Sequence, residues 1–183
     1  MMGAAAILAG GSGRRLGGVA KAFVEVGGVP ILERQLAVLR RFCDEIVVVA
    51  KDAIPFAHFD VRVVMDEQPG LGPLGGLATA LRLARADSLL VFACDMPFID
   101  DKLVRALLDA PMADAIVATA EGEIHPLCAR YSRRILPLID EQLGSPDRSL
   151  KTLIAKLNTH LVVGDRRALC NLNTPEDYEV LHC

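Results

Sequence analysis

The sequence predicts an α/β protein built on a doubly wound, mainly parallel sheet, and three observations support this. Short apolar runs alternate with amphipathic helical stretches along the chain. Several of these runs are apolar on both alternating faces, as expected of strands that are covered on both sides. The chain has 183 residues, of which 52% are hydrophobic and 23% charged. It is therefore large enough for a substantial core, and we predict a single domain over residues 1–183.

The order of elements follows from two periodicities. Short apolar runs predict the strands Ala4–Ala9, Ile46–Ala50, Val61–Met65, Leu89–Ala93, Ala115–Thr119 and Leu161–Val163. Apolar positions at helical spacing, several of them after a proline or a capping side chain, predict the helices. These helices are Pro30–Phe42, Pro73–Ala86, Asp100–Asp109, Arg133–Leu143, Arg148–Leu157 and Thr174–Leu181.

The composition excludes several classes of function. The net charge is −3 and basic residues are not in excess, which argues against a nucleic-acid-coating surface. Aromatic residues make up only 4%, so few platforms exist on which single strands could stack. No apolar segment reaches the roughly 20 residues of a spanning helix, and no basic region precedes the apolar start. We therefore expect a cytoplasmic protein with neither nucleic-acid nor membrane partners.

The cysteines indicate a reduced protein. Their number is odd and no Cys-x-x-Cys pair occurs, which argues against a disulfide framework and against a zinc site. They are expected to be buried thiols that behave as small hydrophobic side chains. The five positions are Cys43, Cys94, Cys128, Cys170 and Cys183.

The loop after the first predicted strand has the composition of a phosphate-binding loop. In open α/β sheets, ligands bind beyond the carboxyl ends of the strands. Five glycines lie between Gly10 and Gly18, and they allow a ligand to approach the backbone amides closely. Arg14 and Arg15 add guanidinium groups suited to phosphate, and Lys21 follows.

Comparison of phosphate-loop types favours a nucleotidyltransferase. A P-loop needs Gly-Lys-Ser/Thr, and the dinucleotide fingerprint needs a third glycine one place before Gly17. The remaining type is a Gly-rich loop over which a triphosphate lies, with a lysine that reaches the α-phosphate. The sequence thus predicts that a nucleotide contacts Leu8, Ala9, Gly10, Gly11, Ser12, Gly13, Arg14, Arg15 and Lys21.

Carboxylates follow two further strands at the same predicted edge. Asp66 could accept hydrogen bonds from the two adjacent donors of a guanine edge, or it could cap a turn. Asp95 could hold Mg²⁺ or Mn²⁺ together with substrate phosphates, while Asp100 and Asp101 are better candidates for capping the next helix. Gly75 lies in a glycine-rich helix entry where a base or sugar could lie against the backbone.

The stretch from Leu8 to Lys21, which begins Leu-Ala-Gly-Gly, resembles the opening motif of the molybdenum cofactor guanylyltransferases. These enzymes belong to the GTP- and CTP-using nucleotidyltransferases. The resemblance continues through Gly28–Leu32, Gly72–Gly76, Cys94–Pro97, His125–Leu127 and Asn171–Asp177. The closing Asn-x-Asn-Thr-Pro together with Leu-Ala-Gly-Gly favours the guanylyl branch, since the cytidylyl branch usually begins Leu-Ala-Ala-Gly.

The resemblance implies a Rossmann-like fold of the nucleotide-diphospho-sugar transferase type and transfer of GMP from GTP to the phosphate of molybdopterin. It implies Mg²⁺ held by Asp95, and Lys21, Arg15 and Asp95 as catalytic groups. It also implies partners among the proteins of molybdoenzyme maturation. In the family an Asp commonly precedes the lysine; here Ala20 stands in that place, which suggests that another carboxylate substitutes.

A second group of residues is assigned to the acceptor. The resemblance places His125 near the pterin. Asn171 and Asn173 flank Leu172 and would point the same way in an extended stretch. Arg148 lies at a predicted helix start, where it could meet the acceptor phosphate.

Two alternatives remain open at this point. The first is a CTP-dependent enzyme that acts on molybdopterin or on a sugar-like phosphate. The second is a non-catalytic nucleotide-binding module, against which the retained Lys21 and Asp95 argue.

Overall fold

The computed structural model describes residues 3–10, 21–67 and 70–172, which contain nine strands and five α-helices. The strands are β1 (Gly3–Leu8), β2 (Glu25–Val26), β3 (Val29–Pro30), β4 (Cys43–Ala50), β5 (Arg62–Met65), β6 (Ser88–Ala93), β7 (Ala115–Ala120), β8 (Glu123–Ser132) and β9 (Thr159–Val163). The helices are α1 (Ile31–Leu39), α2 (Gly72–Leu83), α3 (Asp101–Asp109), α4 (Leu136–Leu143) and α5 (Leu150–Ala155). Short 3-10 turns cover Lys21–Phe23, Ile54–Phe56 and Arg133–Ile135.

The central sheet is mixed but mainly parallel. Its strand order is β5-β4-β1-β6-β8-β7-β9, and the first four strands pair in parallel. Strand β8 runs antiparallel to both of its neighbours, and β9 returns to the parallel direction beside β7. The carboxyl ends of β5, β4, β1 and β6 therefore lie side by side at one edge, as the predicted fold class requires.

Helices cover both faces of the sheet, which confirms the doubly wound prediction. Along β1, Ala5 and Ile7 pack with α1 and α3, whereas Ala4, Ala6 and Leu8 pack with α2, α4 and α5. This alternation follows from the two-residue period of a strand. Because both faces are covered, β1 is apolar throughout, which explains why its sequence shows no polar alternation.

Strand β8 is an element that the apolar pattern does not predict. Arg130 interrupts its apolar run. The residue is nevertheless buried, and its guanidinium donates to the backbone oxygens of Leu108 in the last turn of α3 and of Ala110 just after it. The short β2–β3 hairpin was also not predicted, and Pro30 belongs to β3 rather than to the helix that follows. Asp100 caps α3 by accepting from the backbone N–H of Leu103 at 2.8 Å, as predicted.

Three of the described cysteines are buried, and none of the described cysteines forms a disulfide. Burial raises the pKa of Cys94 to about 12, so this residue is a protonated thiol at neutral pH. Cys183 and the predicted helix Thr174–Leu181 lie outside the described residues. Within the described ranges, no helix combines the length and the apolar character needed to cross a membrane.

Candidate active site

Backbone hydrogen bonds beyond the strand ends hold the predicted site residues at one edge. The N–H of Ala9 donates to Val49 O at 2.8 Å, and that of Asp66 donates to Ala50 O at 2.9 Å. The N–H of Cys94 donates to Leu8 O at 3.2 Å. The parallel pairing thus continues past the strands, and it brings the residues that follow β1, β5 and β6 together.

A cavity of about 410 Å³ opens at this edge, and we refer to it as the strand-end cavity. Five predicted residues line it, namely Leu8, Gly10, Lys21, Asp66 and Asp95. Lys51, which follows β4 directly, lines it too and was missed by the sequence analysis. The strand-end rule that pointed to Asp66 and Asp95 would have identified Lys51. Gly11, Ser12, Gly13, Arg14 and Arg15 lie outside the described residues.

Lys21 and Asp95 form an ion pair inside this cavity. The Lys21 Nζ atom lies 2.8 Å from Asp95 Oδ2, and the two side chains are 23% and 14% exposed. Lys21 opens the 3-10 turn that follows the glycine-rich loop, and Asp95 lies two residues beyond β6. A carboxylate therefore orients the lysine although the residue before it, Ala20, is not acidic.

The other Asp95 oxygen suits a metal ion. Asp95 Oδ1 is buried and has no hydrogen-bond partner among the residues that the structure describes. The same ranges hold no group of three or more His, Cys, Asp or Glu side chains that could enclose a metal. Mg²⁺ is commonly bound by one or two carboxylates, with water and substrate phosphates as the other ligands. Asp95 thus fits an ion that is shared with a nucleotide.

Asp66 is oriented by helix α2. Its Oδ1 accepts from the hydroxyl of Thr79 at 3.2 Å, and the same hydroxyl accepts from the N–H of Glu67 at 3.3 Å. Thr79 is fully buried, so its position is set by the packing of α2. The sequence analysis did not identify Thr79, since one threonine on an apolar helix face carries no signal of its own.

The start of α2 faces the strand-end cavity through its glycine-rich turn. Gly70 and Gly72 have φ values of +92° and +67°, which favour glycine. Gly72 and Gly76 line the cavity, and Gly75 is buried in the same turn. Among the described residues, no side chain caps this helix end, so its first N–H groups suit an anion better than a neutral ligand.

A second cavity of about 510 Å³ adjoins the first, and we refer to it as the adjoining cavity. Asp95 and Leu127 line both cavities. The adjoining cavity also contains three residues assigned to the acceptor, His125, Arg148 and Asn171. The structure therefore brings these three together beside Asp95, while Asn173 lies outside the described residues.

A bulge in β8 places Leu127 between the two cavities. The register with β7 jumps from Ala129 opposite Val117 to His125 opposite Ala118. The buried Tyr131 hydroxyl donates to Pro126 O at 2.8 Å and so holds the bulged segment. Sequence reasoning missed this feature, because a bulge depends on pairing with a distant strand.

The polar residues of the adjoining cavity differ in charge. Burial lowers the pKa of His125 below its usual value, although Glu123 opposes the shift, so the imidazole is uncharged at neutral pH. Arg148 is exposed and donates from Nε to Leu143 O at 3.1 Å. Lys151 adds a second cation to the lining. An anionic group is therefore the ligand that suits this side of the cavity.

The sheet and its two cavities define an α/β protein with a candidate ligand site across the ends of parallel strands. The sequence model of the MobA-like NTP transferase domain matches residues 5–161, and the chain belongs to this family. A probable molybdenum cofactor guanylyltransferase of Chloroflexus aggregans is 33% identical, covering 99% of this chain and 94% of that protein.

Other relatives agree with this assignment. The molybdenum cofactor guanylyltransferase of Syntrophotalea carbinolica is 35% identical, covering 97% of this chain and 89% of that protein. The crystal structure of molybdopterin-guanine dinucleotide biosynthesis protein A from Archaeoglobus fulgidus has a TM-score of 0.81 at 24% identity, covering 97% of this chain and 95% of that one. This last similarity confirms the fold.

Proposed function

We propose that the protein transfers GMP from GTP to the phosphate of a molybdopterin acceptor and releases pyrophosphate. The observation that carries the proposal is the pair of cavities that share Asp95, one with Lys21 and the other with His125 and Arg148. The names of the curated relatives support guanine as the base and molybdopterin as the acceptor. They do not favour a CTP-dependent enzyme or a non-catalytic module.

The reaction needs alignment and charge neutralisation more than covalent chemistry from the protein. A phosphate oxygen of the acceptor attacks the α-phosphorus of GTP. The bond from this phosphorus to the oxygen that bridges to the β-phosphate breaks as the new P–O bond forms. Because Leu127 lies between the cavities and Asp95 lines both, the two phosphates would meet beside Asp95.

Negative charge on the phosphates would be neutralised through three residues with different roles, Lys21, Arg15 and Asp95. The Lys21 ammonium has three N–H donors, so it can keep its bond to Asp95 and still donate to an α-phosphate oxygen. Arg15 would bind the phosphates from the glycine-rich loop. Asp95 would hold Mg²⁺, which supplies positive charge to the nucleotide oxygens when bound. Mn²⁺ could replace it, since both ions accept oxygen ligands.

The proposal also covers the domain organisation, the partner proteins and the cellular location. A single nucleotidyltransferase domain carries the reaction, because both cavities open on one sheet. The product would pass to proteins that mature molybdoenzymes in the cytoplasm, where reduced cysteines are the norm.

A thermal-shift panel tests the choice of base. GTP with Mg²⁺ is expected to raise the melting temperature more than ATP, CTP or UTP does. A nucleotide at 100 times its dissociation constant adds about 2.7 kcal/mol to the free energy of unfolding. A larger rise in melting temperature with CTP than with GTP would overturn the guanylyl assignment. If no pyrophosphate is released in the presence of GTP and the acceptor, the proposal that the protein is an enzyme would be overturned.

Asp66→Ala is expected to weaken GTP binding and to reduce discrimination against ATP. The carboxylate lines the strand-end cavity, and guanine offers it two adjacent donors that adenine lacks. Loss of such a buried hydrogen bond corresponds to roughly 1–3 kcal/mol, or about fivefold to 150-fold in affinity. Titration calorimetry with GTP and ATP measures the effect.

Thr79→Val provides the matched control for this prediction. It keeps the size of the side chain and removes the hydroxyl that orients Asp66. Its effect on GTP affinity is expected to be smaller and of the same sign. An unchanged GTP-to-ATP affinity ratio in Asp66→Ala would remove Asp66 from base recognition.

A further inference from the structure

We propose that Gln35 is a positioning residue, whose buried amide holds the turn that carries Asp95. Gln35 lies in α1 and is fully buried. Its Nε2 donates to Ala93 O at 2.8 Å and to Met96 O at 3.1 Å. These two carbonyl groups lie on either side of Cys94 and Asp95, so one amide spans the whole turn.

Two further main-chain groups of the turn hydrogen-bond to backbone elsewhere in the chain. The N–H of Cys94 donates to Leu8 O, and Asp95 O accepts from the N–H of Leu172 at 2.9 Å. Among the residues that the structure describes, Gln35 is the side chain that hydrogen-bonds the main chain both before and after Asp95. The conformation of the turn therefore depends on a residue of α1 as well as on the sheet.

Burying the side-chain amide of Gln35 at this position lowers the stability of the fold on one side of the group. Its Oε1 is buried and has no hydrogen-bond partner among the described residues. A methionine would fill similar space without burying the unpaired Oε1, although it would deprive the carbonyl groups of Ala93 and Met96 of their amide donor. Stability alone does not favour the amide oxygen, which indicates that the glutamine is present for what its nitrogen holds in place.

The two hydrogen bonds from Gln35 to Ala93 O and Met96 O, which we call the clamp, fix the position of Asp95. A displacement of about 1 Å at a reacting centre can lower a rate about a hundredfold. The Asp95 carboxylate is not hydrogen-bonded by Gln35, so loss of the clamp should change its position and leave its charge unaltered. This inference rests on the proposed function, because it assumes that Asp95 acts on a metal–nucleotide complex.

Gln35→Met in the full chain tests the inference. It keeps the length of the side chain and removes both donors. Mn²⁺ binding in the presence of the α,β-methylene analogue of GTP, followed by electron paramagnetic resonance, is expected to weaken about tenfold or more. Amide exchange of residues 93–96 is expected to accelerate. Binding of the analogue without a divalent ion should stay within about twofold, because the base contacts are untouched.

Gln142→Met is the matched control. Gln142 in α4 is also buried, donates from Nε2 to Ser149 O at 2.7 Å and has an unpartnered Oε1 among the described residues. It lies in the helix layer on the opposite face of the sheet from the core that α1 packs against. The Gln142→Met variant should have a lower melting temperature, as Gln35→Met should, but its Mn²⁺ affinity should be unchanged.

Gln35→His supplies a graded variant, since an imidazole N–H can reach one carbonyl in place of two. Its Mn²⁺ affinity should fall between those of the wild type and Gln35→Met. If Gln35→Met does not fold, the Mn²⁺ affinity of Gln35→His tests the inference instead. Wild-type Mn²⁺ affinity in a folded Gln35 variant that lacks a donor would overturn the inference. Wild-type Mn²⁺ affinity in Asp95→Asn would instead overturn the metal role of Asp95.

Discussion

Asp95→Asn is expected to lower turnover by about a hundredfold or more while the protein still folds and binds the base. Asparagine keeps the size of the side chain and one oxygen, but it removes the negative charge on which Mg²⁺ binding depends. The turn that carries Asp95 is held by Gln35, Leu8 and Leu172, so the backbone should remain in place. Steady-state turnover, GTP affinity and the melting temperature are the measurements.

Loss of the ion pair between Lys21 and Asp95 should lower the stability of the Asp95→Asn variant only slightly. Asparagine keeps an oxygen that can accept from the Lys21 ammonium, so the hydrogen bond can remain although the charge pairing is lost. Excess Mg²⁺ or Mn²⁺ is expected to restore part of the rate, because mass action offsets weaker binding.

Asp100→Asn is the control for Asp95→Asn. Asp100 caps α3, and asparagine caps helices about as well as aspartate, so both stability and turnover should be kept. Near-normal turnover in folded Asp95→Asn would remove Asp95 from the metal site and direct attention to Asp66. Unfolding of Asp95→Asn would show that the residue is structural.

Lys21→Ala is expected to lower kcat by on the order of a hundredfold, with a much smaller change in GTP affinity. The ammonium lies in the strand-end cavity, and its charge matters most when the α-phosphate oxygens gain charge in the transition state. Separate determination of kcat and KM, together with a direct measurement of GTP binding, distinguishes this effect from a loss of ground-state affinity.

Lys51→Ala is the matched comparison for Lys21→Ala. It removes another cation from the same cavity, but Lys51 is exposed at the end of β4. We expect a modest rise in KM and little change in kcat. If Lys21→Ala raises only KM, its ammonium binds ground-state phosphate and does not act in the chemical step.

Local patterns in the sequence were sufficient to predict the fold class and several of the residues that line the strand-end cavity. The apolar runs that became β1, β4 and β6 are buried on both faces, so their composition identifies them without knowledge of their neighbours. Strand β5 is only half-buried, with Val63 and Val64 packed against opposite faces. Parallel strands place their carboxyl ends at one edge, and the residues that follow them are then predictable. Lys21, Asp66 and Asp95 were found in this way, and they line one cavity.

Contacts between distant residues were decided by the tertiary structure alone. Gln35 is separated by 58 positions from Ala93, and Thr79 by 13 from Asp66, so no local periodicity could relate them. The antiparallel β8 and its bulge depend on pairing with β6 and β7, which apolar patterning does not encode. The sequence thus determined which residues stand at the strand ends, because strand periodicity is local. Packing of the helices and β8 determined how Asp66, Asp95 and Leu127 are oriented, because hydrogen bonds and close contacts form only after the chain has folded.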